Sequence, residues 1–103
     1  MGAEVSEEEA YEAVCLTALA ALASLKRALG DLDRVTAWLR VFGMVNSAPG
    51  FDRQPNVING YSDLILELYG PEVGDHARSA VGMAVLPLGM LVEVETEVEI
   101  RGS

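Results

Sequence analysis

The run from Val35 to Val45, VTAWLRVFGMV, constrains this chain most. It is rich in the β-branched and aromatic residues that favour strands. Read with a two-residue period, both of its faces are apolar. Val35, Ala37, Leu39, Val41 and Val45 form one face, and Trp38, Phe42 and Met44 form the other, with Arg40 among them. A strand apolar on both faces has to be covered on both. A chain of 103 residues is one small domain, and its helices suffice for one face only. The second face is therefore expected to meet a partner subunit.

The flanking segments supply those helices. Ser6-Glu7-Glu8-Glu9 has the form of a capping box, with three glutamates suited to the positive end of a helix dipole. From there Tyr11, Val14, Cys15, Ala18, Leu22, Leu25 and Leu29 recur at three- and four-residue steps, and Gly30 offers a C-terminal cap. A second helix is expected over roughly Pro55 to Tyr69, carried by Val57, Ile58, Tyr61, Leu64, Ile65 and Leu68, and ended by Gly70-Pro71. Residues 46–55 between strand and helix read as a loop turning at Pro49-Gly50. Arg78 to Val85 reads as a strand, Pro87 to Gly89 as a tight turn, and Leu91 to Ile100 as a last strand in which Val92, Val94, Thr96, Val98 and Ile100 alternate with Glu93, Glu95, Glu97 and Glu99. The order α-β-α-β-β implies an α/β domain with a crossover unit followed by a closing antiparallel hairpin.

Charge excludes one class of partner. Lys and Arg number 7 against 16 Asp and Glu, a formal charge of −9. Such a surface repels phosphate backbones, and no basic stripe with interleaved aromatics overrides it, so nucleic acid is not an expected partner. The longest apolar stretch, Ala13 to Leu25, is too short to span a bilayer, and the acidic start is not a secretory signal. The single Cys15 permits no internal disulfide and fits a reducing cytoplasm.

Two stretches resemble signatures of the Rid (YjgF-like) family of imine and enamine deaminases. The first is VNSAPGF over 45–51 with QPNVING over 54–60 and Ser62-Asp63-Leu64; the second is HARSAVG over 76–82 with Leu86-Pro87 and VEVE over 92–95. The resemblance covers essentially the whole chain. It implies a chorismate-mutase-like mixed sheet with two helices on one face, assembled as a trimer with sites in clefts between subunits. It also implies a shortened copy: Met1 to Ser6 matches the segment just ahead of the family's first helix, so about three earlier strands of the pattern are absent, including one that pairs with the last strand. An edge left that way exposes unpaired backbone groups and invites association.

The resemblance further implies a site. Arg78 would hold a substrate carboxylate, which its planar fork matches bidentately; the competing role, common in an acidic protein, is a surface salt bridge. Glu93 would position water, although Glu93, Glu95, Glu97 and Glu99 also read as one solvated strand face, the preferred reading for the last three. Asn59 would orient substrate, with capping or turn duty an equal alternative, and Ala80 would contribute its backbone amide as a polarising donor. Arg78 and Glu93 are expected to meet through adjacent strands at a boundary between chains. Cys15 reads as core. His76, the sole histidine, has no second ligand at metal spacing, and Ser79 lacks the glycines of a nucleophile elbow. The implied activity is cofactor-free hydrolysis of 2-imino or enamine acids to 2-oxo acids and ammonia. The rivals are a trimeric small-carboxylate-binding protein without turnover, and an inactive fragment.

Overall fold

The computed structural model describes residues 6–47, 50–84, 86 and 91–101. Its elements are α1 (Glu7–Leu29), a 3-10 turn (Leu32–Arg34), β1 (Val35–Asn46), α2 (Gln54–Val73), β2 (Ala77–Met83) and β3 (Val92–Ile100). The order is the one read from the sequence. The tight turn expected over Pro87–Gly89, and Pro49 of the earlier turn, lie outside the described residues.

Helix α1 begins as its sequence dictates. The Glu9 amide donates to the Ser6 hydroxyl at 3.1 Å, and the Ser6 amide donates to the Glu9 carboxylate at 3.3 Å. Gly30, with φ of 85°, closes it by donating to the Lys26 carbonyl. Helix α2 starts with Pro55 in its first turn and breaks at Gly70, where φ of 77° and the following proline interrupt the regular backbone. One more turn follows the break, so the helix reaches Val73 rather than stopping at Tyr69. Arg53, at its N-terminus, is paired with Glu7 at 2.7 Å, which ties the starts of the two helices together.

Strand β1 is the centre of a mixed sheet of order β2-β1-β3. It runs parallel to β2, as a crossover through α2 requires, and antiparallel to β3. The closing hairpin expected from sequence does not form: β3 passes to the far side of β1 instead of pairing with β2. The physical reason is the apolar central strand itself, whose two edges both need hydrogen-bonded neighbours once it is buried.

The faces of β1 also differ from strict alternation. Irregularities between Val35 and Ala37, and between Trp38 and Arg40, shift the register. Each adds a residue, so the inward positions step as Val35, Trp38, Val41, Gly43 and Val45. Trp38 thus joins the helix-covered core at 1% exposure, while Leu39, expected inside, is 48% exposed. Trp38 packs edge-on against Tyr61 and Tyr69 of α2, with ring centroids at 6.5 and 5.4 Å. Gly43 lets Ile58 lie directly on the sheet, because a Cβ there would meet the Ile58 side chain at 2.6 Å. Phe42 and Met44 project from the other face, half-buried, beside Glu95 and Glu93.

The helices approach each other most closely at Gly60, where a Cβ would run into the Tyr11 carbonyl and meet the Cys15 amide at 3.2 Å. Both obstacles are backbone, so neither can rotate away. Gly60→Ala is therefore expected to destabilise the fold by about 1–3 kcal/mol, read as a lower urea midpoint at unchanged slope; an unchanged midpoint would show that the helices can separate freely. Tyr61 gives a second expectation. Its buried phenol donates to or accepts from Thr96 at 2.7 Å, and burial raises its pKa above the ordinary 10.0, the Thr96 bond opposing part of that rise. A raised folded value means its contribution is intact below the unfolded pKa and is lost as pH rises through the folded one. Stability should fall on going from about pH 8 to about pH 11, less steeply in Tyr61→Phe; Tyr69, raised in the same direction chiefly by burial, keeps part of the slope. Identical slopes in the two proteins would remove Tyr61 from the alkaline transition.

Candidate functional site

Helix α2 and strand β2 together build a polar cleft of about 240 Å³ whose walls include Asn59, Ser62, Asp63, Asp75, His76 and Arg78. The spacing is simple. Asn59 and Ser62 stand three apart on one helix face, and His76 and Arg78 stand two apart along the strand side. Arg78 is the Cα partner of Val41, whose side chain is fully buried under the helices, so the guanidinium rises on the helix side of the sheet edge.

Arg78 is held there by neutral groups. Its Nη1 donates to Asn59 Oδ1 at 2.6 Å and to Ser62 Oγ at 3.2 Å. Among the described residues it forms no ion pair, in contrast to Arg40, which binds Glu97 at 3.1 Å, and Arg53. The two carboxylates in the walls of the cleft have other partners: Asp63 accepts from the Tyr11 phenol at 2.7 Å, and Asp75 from the His76 amide at 3.1 Å. The bond to Asp63, more than any other influence, raises the Tyr11 pKa. With both Nη1 hydrogens committed, Nε and Nη2 remain without partners among the described residues. That edge is the side-on fork that takes a carboxylate in two parallel hydrogen bonds.

Two other candidates join Arg78, and one does not. Asn59 touches it. Ala80 follows two residues along the same face of β2, half-buried against the core. Glu93 is elsewhere. It is the Cα partner of Met44 on β3, and Met44 lies three regular residues from Val41, hence on the opposite face of the sheet. Strand β1 stands between the two edge strands, placing them about 10 Å apart. The expectation that adjacent strands unite Arg78 and Glu93 is therefore corrected: no single chain brings them into one cleft. The remaining glutamates form an exposed face, on which Glu97 binds Arg40 and Glu99 accepts from Thr36 at 2.9 Å.

Ser62 and His76 are the members that the sequence reading did not place in the site. Their signal was present in the positions three after Asn59 and two before Arg78. Ser62 Oγ lies 2.9 Å from His76 Nε2, and His76 Nδ1 lies 2.6 Å from the Gly74 carbonyl oxygen. Histidine is thus paired with Ser62, whereas Ser79, on the face opposite Arg78, takes no part. Two further clefts, one of about 250 Å³ between α1 and β3 and one of about 520 Å³ at the ends of β1 and β2, carry no charged side chain in their walls.

Comparison with known proteins places this geometry. Residues 1–100 match the family described as "YjgF/chorismate_mutase-like, putative endoribonuclease". Protein TCP17 of Trypanosoma cruzi is 47% identical over 101 residues, covering 98% of this chain and 63% of the relative. Among solved structures, Atu1372 of Agrobacterium tumefaciens, a protein of unknown function, superposes with a TM-score of 0.91 at 44% identity, covering 97% of this chain and 64% of that one. A protein from Shewanella oneidensis MR-1 described as a "putative endoribonuclease" gives 0.90 at 36% identity, covering 96% and 65%. This chain thus spans just under two thirds of the length of each of these relatives. With a family match over residues 1–100 and the same α/β architecture in its structural neighbours, the chain belongs to the YjgF/chorismate-mutase-like family.

Proposed function

We propose that this protein hydrolyses small 2-imino or enamine acids to 2-oxo acids and ammonia, at a site completed between two copies of the chain in a homotrimer. The observation that carries this reading is the state of Arg78: a guanidinium held by Asn59 and Ser62, which among the described residues forms no ion pair and has no partner on its Nε–Nη2 edge. A guanidinium outside any direct ion pair suits an anionic ligand, and a planar fork suits a carboxylate.

The chemistry needs little more. Water adds to the imine carbon while one of its protons passes to the nitrogen, and the carbinolamine hydroxyl then gives up the second to the departing nitrogen as the C–N bond breaks, releasing ammonia and the 2-oxo acid. Arg78 anchors the carboxylate, the Ala80 amide and the Asn59 side chain orient the substrate, and Glu93 of a second copy takes the proton from the attacking water and passes it to the nitrogen. Assembly is integral to this reading, because Arg78 and Glu93 lie on opposite faces of one sheet. The half-buried Phe42 and Met44 beside Glu93 offer the apolar ground on which another copy can seat. No cofactor enters, and the cytoplasm, where pyridoxal-phosphate enzymes release such imines, is the fitting compartment. Among the described residues no helix is long and apolar enough to cross a membrane.

One observation favours a second reading. A single chain holds the carboxylate anchor without Glu93, which is what a non-catalytic carboxylate-binding protein requires. RNA cleavage, carried in the family's description, accords less well with this chain: the charge is −9, and the open sheet face carries four glutamates against Arg40.

Mixing decides among these. Arg78→Ala should lower kcat/KM for freshly generated iminopropanoate by roughly a hundredfold, with stability lowered by no more than about 1 kcal/mol because the side chain is exposed and its two bonds are to neutral groups. Glu93→Gln should abolish turnover while sparing 2-oxobutanoate binding. Co-refolding the two inactive variants should restore ammonia release, since a shared site then draws Arg78 from one chain and Glu93 from another. Inactivity of the mixture, with each variant still assembled, would rule the shared site out; binding without turnover in the parent chain would favour the carboxylate-binding protein.

A further inference from the structure

We propose that Ser62 and His76 are positioning residues for Arg78, joined in a one-way chain of hydrogen bonds that ends on the C-terminal carbonyl of α2. The proposal rests on the reading of Arg78 as the carboxylate anchor and assigns what sets its orientation.

The direction of the chain follows from what each group can do. The Gly74 carbonyl only accepts, so His76 Nδ1, 2.6 Å away, carries a hydrogen. In the neutral ring Nε2 then holds a lone pair, and Ser62 Oγ at 2.9 Å gives it its single proton. That leaves Oγ with lone pairs only, and one of them faces Arg78 Nη1 at 3.2 Å. Arginine, which only donates, is thus matched by an oxygen that is obliged to accept. With the opposite tautomer two lone pairs would face each other across 2.6 Å.

The end of the chain is fixed. Gly74 caps α2, its amide donating to the Gly70 carbonyl at 2.8 Å, and a Cβ there would meet Gly70 O at 2.7 Å and Ile65 O at 3.0 Å. Its carbonyl accepts from His76, and each bond in the chain polarises the next donor. Absent His76, a mid-helix serine would turn its proton to a backbone carbonyl of the preceding turn. Absent Ser62, Asn59 alone would hold the guanidinium, which could then pivot about that single bond and carry its fork out of register. A nucleophilic role for Ser62 is less suited to the geometry: it is 7% exposed in mid-helix, and the guanidinium covers its oxygen.

Calorimetry with 2-oxobutanoate and with its neutral amide separates positioning from folding. Ser62→Ala is expected to weaken 2-oxobutanoate binding about tenfold and to leave the amide unchanged, so that discrimination between the two collapses. His76→Leu should do the same, whereas His76→Gln, whose carbonyl can take the Ser62 proton, should restore most of it. A loss confined to packing would instead lower the thermal midpoint and affect both ligands alike. Because His76 is the only histidine in the chain, its ring nitrogens can be read directly by NMR in the ligand-free protein: Nδ1 should be protonated and Nε2 bare. A ring protonated on Nε2, or Ser62→Ala with undiminished affinity while Arg78→Ala is impaired, overturns the positioning chain. Undiminished binding in Arg78→Ala removes the anchor itself, and the positioning chain with it.

Discussion

Strand β1 divides the molecule, and the division decides which residues can act together. Its helix-covered face carries Val35, Trp38, Val41 and Val45, and the neighbour of Val41 on that face is Arg78. Its open face carries Met44, whose neighbour is Glu93. Side chains of a strand alternate strictly once register is regular, as it is from Val41 to Val45, so no rotamer change can bring Arg78 and Glu93 together. The separation belongs to the backbone. Chemistry that needs both groups needs two sheets, whereas chemistry that needs only the anchor is complete in one.

The anchor proposed at Arg78 depends on who its partners are. A carboxylate beside Arg78 would have satisfied the guanidinium and cancelled its charge, leaving a structural ion pair of small worth at the surface. Amide and hydroxyl oxygens satisfy the same hydrogens without cancelling the charge. The field of the cation then remains available to whatever enters the cleft. Tyr11 contributes indirectly, since its phenol occupies the Asp63 carboxylate that lines the same cleft.

Much of this was legible in the residues. The Ser6–Glu9 capping box, the stripe along α1, the crossover of β1 and β2 through α2 and the exposed face of Glu95, Glu97 and Glu99 are local or periodic features, and periodicity is what sequence displays. Three features escaped. The irregularities in β1 move Trp38 inward by inserting residues into the alternation, and nothing local in VTAWLRVFGMV announces them. The pairing of β3 with β1 rather than β2 is a competition between non-local partners, settled by the need of a buried central strand for neighbours on both edges. The role of His76 depended on a serine fourteen positions away on another element. Asn59 and Arg78 were within reach because the family resemblance names both; Ser62 and His76 lie in the same two stretches, three after Asn59 and two before Arg78, and went unassigned, since neither carries an obvious chemistry alone.

Strand β3 brings these threads to one place. Among the described residues its only strand neighbour is β1, and its inward valines meet a cleft against α1 whose walls include Thr17, Leu25, Val94 and Val98. An unpaired strand edge seeks backbone partners, and an open apolar groove beside it seeks side chains. The same strand presents Glu93 on its other face, next to Phe42 and Met44. The two faces of β3 share one backbone, so a contact on its valine side would also act on how the glutamates are held. On the proposed reading, the carboxylate anchor is an internal property of each chain, fixed by α2 and β2, while the water-positioning carboxylate is a property of how chains and strands assemble around β3. Binding and turnover would then respond to different perturbations: changes in the α2–β2 cleft act on affinity, and changes along the β3 edge act on the chemical step.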